Sequence, residues 1–264
     1  MSARAMNLLA ALCVALALLA IGWAALPWLT QQPKFQVKRV DVRGELRHVT
    51  TASVHAALAG RLRGNYFTMR LEDTRRLFET VPWVAQASVR RVWPDRLVVT
   101  VTEHRALGVW EDGRLLSDRG ELFVANPDEA EIYGQLPEFS GPFSAAKDAA
   151  RQYYELSAQF AALSLRISAI DISDRKAWSL RLTPEPREGT KQADEIRVEL
   201  GRDGLVMPLG ERVAQLIAAY PLVVAQLGGP PARIDARYAR GLAASTSANV
   251  TRKPDGVARL RNEP

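Results

Sequence analysis

Hydrophobic residues follow two different patterns along this chain. Residues 5–33 contain no charged side chain, whereas charged residues are interspersed with apolar ones from Lys34 onward. The first part is rich in alanine and leucine. As a helix rising 1.5 Å per residue, residues 6–26 would span about 32 Å, which is the thickness of a bilayer's hydrocarbon core. Trp23 and Trp28 lie where interfacial aromatic residues are expected.

This apolar segment predicts a transmembrane helix over residues 6–28, preceded by a short tail of residues 1–5. The alternative is a cleaved signal peptide with Arg4 as its positive region and Leu8–Leu19 as its apolar core. The apolar run continues to Leu26, and no clean small-x-small cleavage site ends it. Both observations favour a retained anchor.

The charges that flank the segment do not settle its orientation. Arg4 and the amino terminus are the only positive groups before it, while four cations follow closely: Lys34, Lys38, Arg39 and Arg43. Counting lysine and arginine therefore favours an orientation with the large domain in the cytoplasm. From charge alone the topology stays open.

After the anchor the pattern predicts an α+β module. Phe35–Arg43 alternates like a strand, Thr50 or Thr51 can cap a short helix, and a second helix covers Asp73–Phe78. Alternating apolar positions on both sides of Trp93-Pro94-Asp95 then predict a hairpin. The expected order is strand, helix, helix, strand, strand, with both helices on one face of the sheet.

The second half of the chain predicts a mixed α/β domain with an extended sheet. Its expected elements are a hairpin over 106–117, a loop over 127–143, a helix over 145–163, strands near 170–172 and 178–182, a hairpin over 195–208, a helix that begins at Glu211 and is broken or kinked by Pro221, and a last strand over Arg233–Ala244. Residues 245–264 are polar without apolar periodicity and are expected to be a disordered tail.

Composition narrows the classes of protein. Hydrophobic residues make up 47% and charged residues 24%, which is ordinary for a folded protein. The net charge of +6 comes from cations spread along the chain, so a nucleic-acid-binding block is absent from the sequence. Cys13, the only cysteine, lies inside the apolar segment. The rest of the chain must therefore fold without a disulfide.

The sequence offers little catalytic chemistry. The three histidines, His48, His55 and His104, have no spacing typical of a metal site, and no phosphate-binding loop or nucleophile elbow is present. We therefore expect no enzymatic activity, no cofactor, no metal and no small-molecule substrate. A membrane-tethered hydrolase, the enzymatic rival, would need a nucleophile or metal cluster that the sequence does not contain.

Several motifs together resemble the bacterial cell-division family FtsQ, called DivIB in other bacteria. They are Gly64-Asn65-Tyr66-Phe67, Val81-Pro82-Trp83-Val84, Val89–Leu97, Val99–Arg105, Trp110, Asp118–Phe123 and Ile234–Tyr238 followed by Gly241. They occur in the family's order over residues 35 to about 244, behind an anchor of the family's kind.

The resemblance implies a POTRA domain over residues 35–105 and an FtsQ-type C-terminal domain over 106–244. It also implies one pass through the inner membrane at the division septum, with a cytoplasmic amino end and periplasmic domains. The implied role is a non-enzymatic scaffold that links early and late division proteins and binds FtsB and FtsL to control septal peptidoglycan synthesis. FtsK, FtsW and FtsI are further implied partners.

An exposed sheet edge is the binding feature expected from the residues themselves, because its free backbone groups can accept a partner strand. The last strand is the better candidate, and the resemblance places Arg237, Tyr238 and Gly241 on positions that meet FtsB. Arg175 and Lys176 resemble a basic spot for acidic groups of the same partner. Arg240 and Thr246 depart from the family pattern at two nearby positions: Arg240 stands where a small residue is common, and Thr246 replaces an aromatic found in some relatives.

A second role of POTRA modules is to receive unfolded outer-membrane proteins. Chains of that kind continue into many barrel strands. Here only a short two-domain length follows the apolar segment, which favours the division scaffold.

Overall fold

The computed structural model describes residues 11–23, 35–62, 65–132, 134–185, 194–204, 207–238 and 241–246. Residues 11–23 form helix α1. Within the described ranges, no helix combines the length and apolar character needed to cross a bilayer. The predicted span over 6–28 extends beyond the described residues at both ends, and the predicted tail over 1–5 lies outside them. Of the tail predicted over 245–264, only Ser245 and Thr246 are described, and Ser245 is the last residue of a strand. The chain divides into two compact units, with the boundary between His104 and Arg105.

The first unit has the predicted order of elements. They are β1 (Arg39–Arg43), α2 (Thr51–Leu58), α3 (Leu71–Phe78), β2 (Val84–Val92) and β3 (Arg96–Glu103). The three strands form a sheet in the order β1-β3-β2, with β1 parallel and β2 antiparallel to the central strand β3. The strand expected over Phe35–Arg43 is shorter than predicted, because residues before Arg39 make backbone hydrogen bonds to loops instead of a ladder.

Polar contacts fix the start of α2. Thr50, one of the two predicted caps, is its N-cap and shares a capping box with Ser53, whose backbone nitrogen lies 3.1 Å from the Thr50 hydroxyl. Just before this cap, the carboxylate of Glu103 at the end of β3 accepts backbone N–H groups of Arg47, His48 and Val49 at 3.0, 3.1 and 2.7 Å. This carboxylate therefore joins the sheet to the first helix.

The second unit is built on one nine-stranded sheet in the order β12-β11-β10-β9-β8-β7-β4-β5-β6. The strands are β4 (Ala106–Trp110), β5 (Leu115–Ser117), β6 (Leu122–Phe123), β7 (Glu138–Ser140), β8 (Leu165–Ile172), β9 (Ala177–Pro184), β10 (Ile196–Arg202), β11 (Arg233–Asp235) and β12 (Ala243–Ser245). Its helices are α4 (Pro127–Glu131), α5 (Ala146–Ala161) and α6 (Leu209–Leu227).

Two long helices and the sheet share the core of the second unit. Leu156 and Phe160 of α5 and Leu216 of α6 are buried in one hydrophobic cluster with strand residues such as Ile170 and Leu180. Each such side chain contributes roughly 1.5–3 kcal/mol by leaving water. The apolar spacing at three- and four-residue steps predicts the buried face of α5 correctly, and that face consists of Ala149, Tyr153, Leu156 and Phe160, with Leu163 just beyond the end of the helix. Helix α6 continues past Pro221 to Leu227, so the proline does not break it.

The loop predicted over 127–143 and the hairpin predicted over 195–208 were wrong. The stretch expected to be a loop over 127–143 contains α4 and the short strand β7, which pairs in parallel with both β4 and β8. Gly108 permits this arrangement, since a Cβ there would lie 2.3 Å from the Phe139 ring. The hairpin expected over 195–208 is also absent from the described residues, because β10 pairs with β9 and β11 instead.

Candidate partner-binding edge of the C-terminal sheet

The strand predicted over Arg233–Ala244 is in fact two short antiparallel strands, β11 and β12. The reason lies at Asp235. Its carboxylate accepts the backbone N–H of Arg237 at 3.1 Å and the Arg237 Nε–H at 2.8 Å, a local turn of the kind that aspartate favours. The chain therefore leaves β10 and folds back. β11 becomes an interior strand, and β12 is the last strand at this end of the sheet.

Backbone hydrogen bonds show which way β11 faces. The Ala232 carbonyl accepts from β10 at 3.0 Å, and the Ala236 N–H donates to β10 at 2.9 Å. The backbone N–H and C=O groups of successive residues point to alternate sides of a strand. Those of Ile234 therefore also face β10. Those of Arg233 and Asp235 therefore face the opposite side, towards β12.

The same alternation fixes the outer side of β12. Ser245 lies opposite Arg233 and Ala243 lies opposite Asp235, so the backbone groups of these two β12 residues face inward. The N–H and C=O of Ala244, between them, point away from β11. No strand of the described part of the chain lies on that side. Among the described residues, Ala244 thus presents an open donor and acceptor at the edge of the sheet.

Arg237 and Tyr238 lie in the connection between β11 and β12, not on an edge strand as predicted. Arg237 Nη2 lies 2.6 Å from Asp235 Oδ2, and this guanidinium holds the pKa of Asp235 below its usual value. Tyr238 is 57% exposed. A Cβ added at Gly241 would meet no atom within 4 Å, and its φ lies outside the left-handed region, so this position does not demand glycine.

Arg175 and Lys176 form the tight turn between β8 and β9. Ser173 and Ala177 close the turn, with the Ser173 N–H donating to the Ala177 carbonyl at 2.9 Å. Lys176 has a φ of +57°, which a non-glycine residue adopts only at some cost. Both cationic side chains are exposed.

The structure brings the two predicted groups of site residues to the same end of the sheet. Arg202 at the end of β10 lies opposite Ala177, the residue after the basic turn. On the other side of β10, a Cβ at Gly201 would lie 3.0 Å from Cγ of Arg237. One strand therefore separates Arg237 from the basic turn, a distance of roughly 10 Å at the usual strand spacing.

A buried arginine that the sequence did not reveal supports this end of β10. Arg212 of α6 is 8% exposed and donates to the carbonyls of Leu200, Arg202 and Met207, the latter two at 3.0 and 3.1 Å. Asp203 also accepts the N–H of Leu209 at 2.8 Å, which fixes the start of the helix. In sequence, Arg212 is indistinguishable from a solvated helix residue, since only the fold shows which carbonyls it meets.

The end of the sheet carries unpaired positive charge. Arg175, Lys176 and Arg202 are exposed and make no ion pair with any described residue. Asp174 lies beside them in the same turn. Exposed charges of this kind mainly speed association with an oppositely charged surface and orient it. The arrangement suits an extended acidic segment laid along β12.

One of the three histidines, His48, has a packing role in the first unit. His48 stacks on Trp83 with ring centroids 3.9 Å apart, and its Nδ1 lies 3.1 Å from Glu103, so it helps to pack the first unit. Among the described residues, no group of three histidine, cysteine or acidic side chains could hold a metal ion.

Comparison with known proteins adds independent information. Residues 35–104 match the model of the POTRA domain, FtsQ-type, and residues 108–237 match the model of the cell division protein FtsQ/DivIB C-terminal domain. The cell division protein FtsQ of Burkholderia pseudomallei is 38% identical over 240 residues, which is 91% of each chain. Those of Bordetella pertussis and Nitrosospira multiformis are each 33% identical; the matches cover 91% of this chain and 90% and 96% of theirs.

Proposed function

The chain belongs to the FtsQ/DivIB family of cell division proteins, and from this premise we propose that it binds FtsB, itself paired with FtsL, by strand addition at β12. The single observation that carries the proposal is the outward-facing backbone of Ala244 at the last strand of the sheet. A strand of FtsB would pair with this edge and extend the sheet by one strand.

Backbone pairing alone is too weak for a stable complex. Ala244 offers one donor and one acceptor, and each hydrogen bond contributes about 0.5–1.5 kcal/mol net. The sum corresponds at best to a millimolar dissociation constant. The additional contacts that a specific complex needs would come from Arg237, Tyr238 and Gly241 beside the edge and from Arg175 and Lys176 across β10.

Each of these residues has a separate part in the proposal. Tyr238, largely exposed beside the turn, offers an aromatic surface that the incoming chain can cover. Arg175 and Lys176 attract acidic groups of FtsB. Gly241 leaves room beside β12 for a close approach. Arg237 is held by Asp235, so its role is to keep the turn in place as well as to contact the partner.

In the wider role, the chain is a non-enzymatic scaffold of the division machinery that connects early and late proteins and controls septal peptidoglycan synthesis. FtsK, FtsW and FtsI are further proposed partners. We place the chain in the inner membrane by a single span over residues 6–28, with its two folded units in the periplasm. A reporter that is active only in the cytoplasm, fused after Pro264, tests this topology. Activity of this reporter would mean that the folded units lie in the cytoplasm, which contradicts the proposal.

Co-purification tests the binding proposal. The full chain in detergent should retain tagged FtsB–FtsL, and Tyr238→Ala should lose most of it while the circular dichroism spectrum is unchanged. Tyr154→Ala is the matched control, because Tyr154 is a similarly exposed tyrosine on α5, at 52%. Equal retention by the two variants would contradict the proposed contact.

A further inference from the structure

Four aromatic side chains form an exposed cluster at one end of the first unit. The Phe35 ring centroid lies 5.0 Å from that of Phe67 and 6.0 Å from that of Trp93, and the centroid of Tyr66 lies 5.3 and 5.5 Å from the same two rings. Phe67 is 47% exposed and Trp93 is 60% exposed. We call these four residues the aromatic cluster. Packing of the first unit does not require the rings of Phe67 and Trp93 to be exposed to water. A contiguous exposed apolar patch of this kind marks an interaction surface.

Backbone hydrogen bonds hold the aromatic cluster at the point where the chain enters the first unit from its apolar amino-terminal segment. The Tyr66 N–H donates to the Phe35 carbonyl at 2.8 Å, and the Lys38 N–H donates to the Asp95 carbonyl in the β2–β3 turn at 2.9 Å. The arriving chain is therefore bound both to the loop that carries Tyr66 and to the turn that follows Trp93. The position of the cluster relative to Phe35 is fixed.

Chain length limits how far this end can lie from the apolar segment. Seven peptide units separate the end of the predicted span at Trp28 from Phe35, and a fully extended chain covers at most about 25 Å over that number. The exposed rings of Phe67 and Trp93 thus lie within a short reach of any membrane that holds residues 6–28.

The charges around the aromatic cluster favour an anionic surface. Lys38 and Arg39 are exposed, and Arg96 lies opposite Arg39 in the β1–β3 pair. Asp95, whose carboxylate is 3.8 Å from the Lys38 ammonium, is the acidic residue next to them. The local balance of three cations and one anion is positive. Aromatic rings beside lysine and arginine are the composition that membrane–water interfaces favour.

We propose that the aromatic cluster, with Lys38, Arg39 and Arg96, lies in the headgroup layer of the lipid bilayer and holds the first unit against the membrane. The inference rests on the proposed membrane span over residues 6–28. The anionic lipid surface is the partner. The aromatic rings enter the interfacial region, while the cations meet lipid phosphates.

Spin-label accessibility tests this placement on the full chain. A nitroxide is attached at Phe67→Cys in a Cys13→Ala background, in nanodiscs of phosphatidylethanolamine and phosphatidylglycerol that each hold one chain. Collision rates with oxygen and with a polar nickel chelate are compared with those at Thr80→Cys, a site beyond the other end of β2. The oxygen-to-nickel ratio should be severalfold higher at position 67. Equal, water-like ratios at the two sites would overturn the inference.

A label at a third position distinguishes a failure of this inference from a failure of the proposed membrane span. With Leu18→Cys, a label shielded in hydrocarbon together with a water-like label at position 67 leaves the span intact and refutes only the headgroup placement. A water-like label at position 18 refutes the span and the placement with it. Because each nanodisc holds one chain and no partner protein, neither a second copy nor a partner can shield position 67.

Substitutions in the labelled protein identify the groups responsible. Trp93→Ser combined with Lys38→Glu should lower the ratio at position 67 towards the value at position 80. Val124→Ser combined with Arg119→Glu is the matched control from the second unit, and all four positions are exposed. If both pairs of substitutions leave the ratio unchanged, the aromatic and basic groups do not hold this surface at the membrane.

Discussion

Ala244 lies directly opposite Ile234 in the antiparallel pair of β11 and β12. Because the backbone groups of Ile234 face β10, those of Ala244 face outward from the sheet. Because of this pairing, β12 is an edge strand with outward-facing backbone groups, and another chain can extend the sheet there.

A proline at this position should remove the edge function. In Ala244→Pro the outward N–H is lost, while the inward pairs of Ala243 and Ser245 stay. We expect FtsB–FtsL binding to fall at least about tenfold, or 1.4 kcal/mol, because proline cannot donate and its ring obstructs the approach of a strand. Fluorescence anisotropy with a labelled periplasmic segment of FtsB measures the change.

Ala244→Val is the matched control for the proline variant. Valine keeps the outward N–H and favours extended backbone, so its binding should equal or exceed that of the unchanged chain. A valine variant as weak as the proline variant would mean that side-chain bulk, and not the free backbone, controls binding.

Reversing the charge of the β8–β9 turn should weaken association in a salt-dependent way. For Arg175→Glu with Lys176→Glu we expect roughly tenfold weaker binding at low salt, and a smaller difference at high salt, because exposed charges are screened. Stopped-flow association rates at two salt concentrations measure the effect.

The control for this pair is Arg119→Glu, an exposed cation in the β5–β6 turn of the same unit. Association should slow much less in this variant. If it slows as much, net charge explains the result and the basic turn has no special part.

Arg212 should be required for the stability of the second unit. Arg212→Met keeps an unbranched apolar stem but removes the guanidinium, which leaves the carbonyls of Leu200, Arg202 and Met207 without their donor. We expect the free energy of unfolding to fall by about 2–4 kcal/mol. Urea unfolding followed by circular dichroism measures it, with the exposed Arg151→Met as control. A loss below about 0.5 kcal/mol, the usual limit for surface changes, would refute the role.

Glu103 should make the first unit sensitive to acid. Burial tends to raise the pKa of this carboxyl, but the backbone N–H groups of Val49, Arg47 and His48 outweigh it and lower the pKa. The charged form thus stabilises the fold above the ordinary glutamate pKa of about 4.3, and this stabilisation is lost as the pH falls through the lower folded value.

The Glu103→Gln variant isolates that contribution. Near neutral pH it should be less stable than the unchanged chain by about 1–3 kcal/mol, and the difference should shrink once the pH falls below the folded pKa. Urea unfolding at a series of pH values measures it, with exposed Glu155→Gln as control. A difference that is independent of pH would show that the charge of Glu103 is not what holds residues 47–49.

Local sequence patterns are sufficient to predict some parts of this fold but not others. The cap at Thr50 and the apolar face of α5 depend on residues three and four apart, so the sequence reveals them directly. Three-residue strands such as β7 carry no periodicity. The place of β7 between β4 and β8 depends on contacts with distant residues and on the missing side chain of Gly108.

The candidate site shows the same division. The family motifs point to Arg237, Tyr238 and the basic turn, which the fold brings to one end of the sheet, but the pattern over 233–244 predicts one strand where there are two. The aspartate turn at Asp235, which ends β11, depends on a side-chain contact that alternation does not encode. Arg212 is hidden for a related reason, because its carbonyl partners come together only in the folded unit.

Amide hydrogen exchange tests the central claim most directly. With the full chain alone and then saturated with FtsB–FtsL, exchange at the Ala244 amide should slow by at least about tenfold on binding, since a free edge N–H becomes hydrogen-bonded. The inward amides of β12 should change less. Unchanged exchange at Ala244, with protection instead at the opposite edge strand β6, would contradict strand addition at β12.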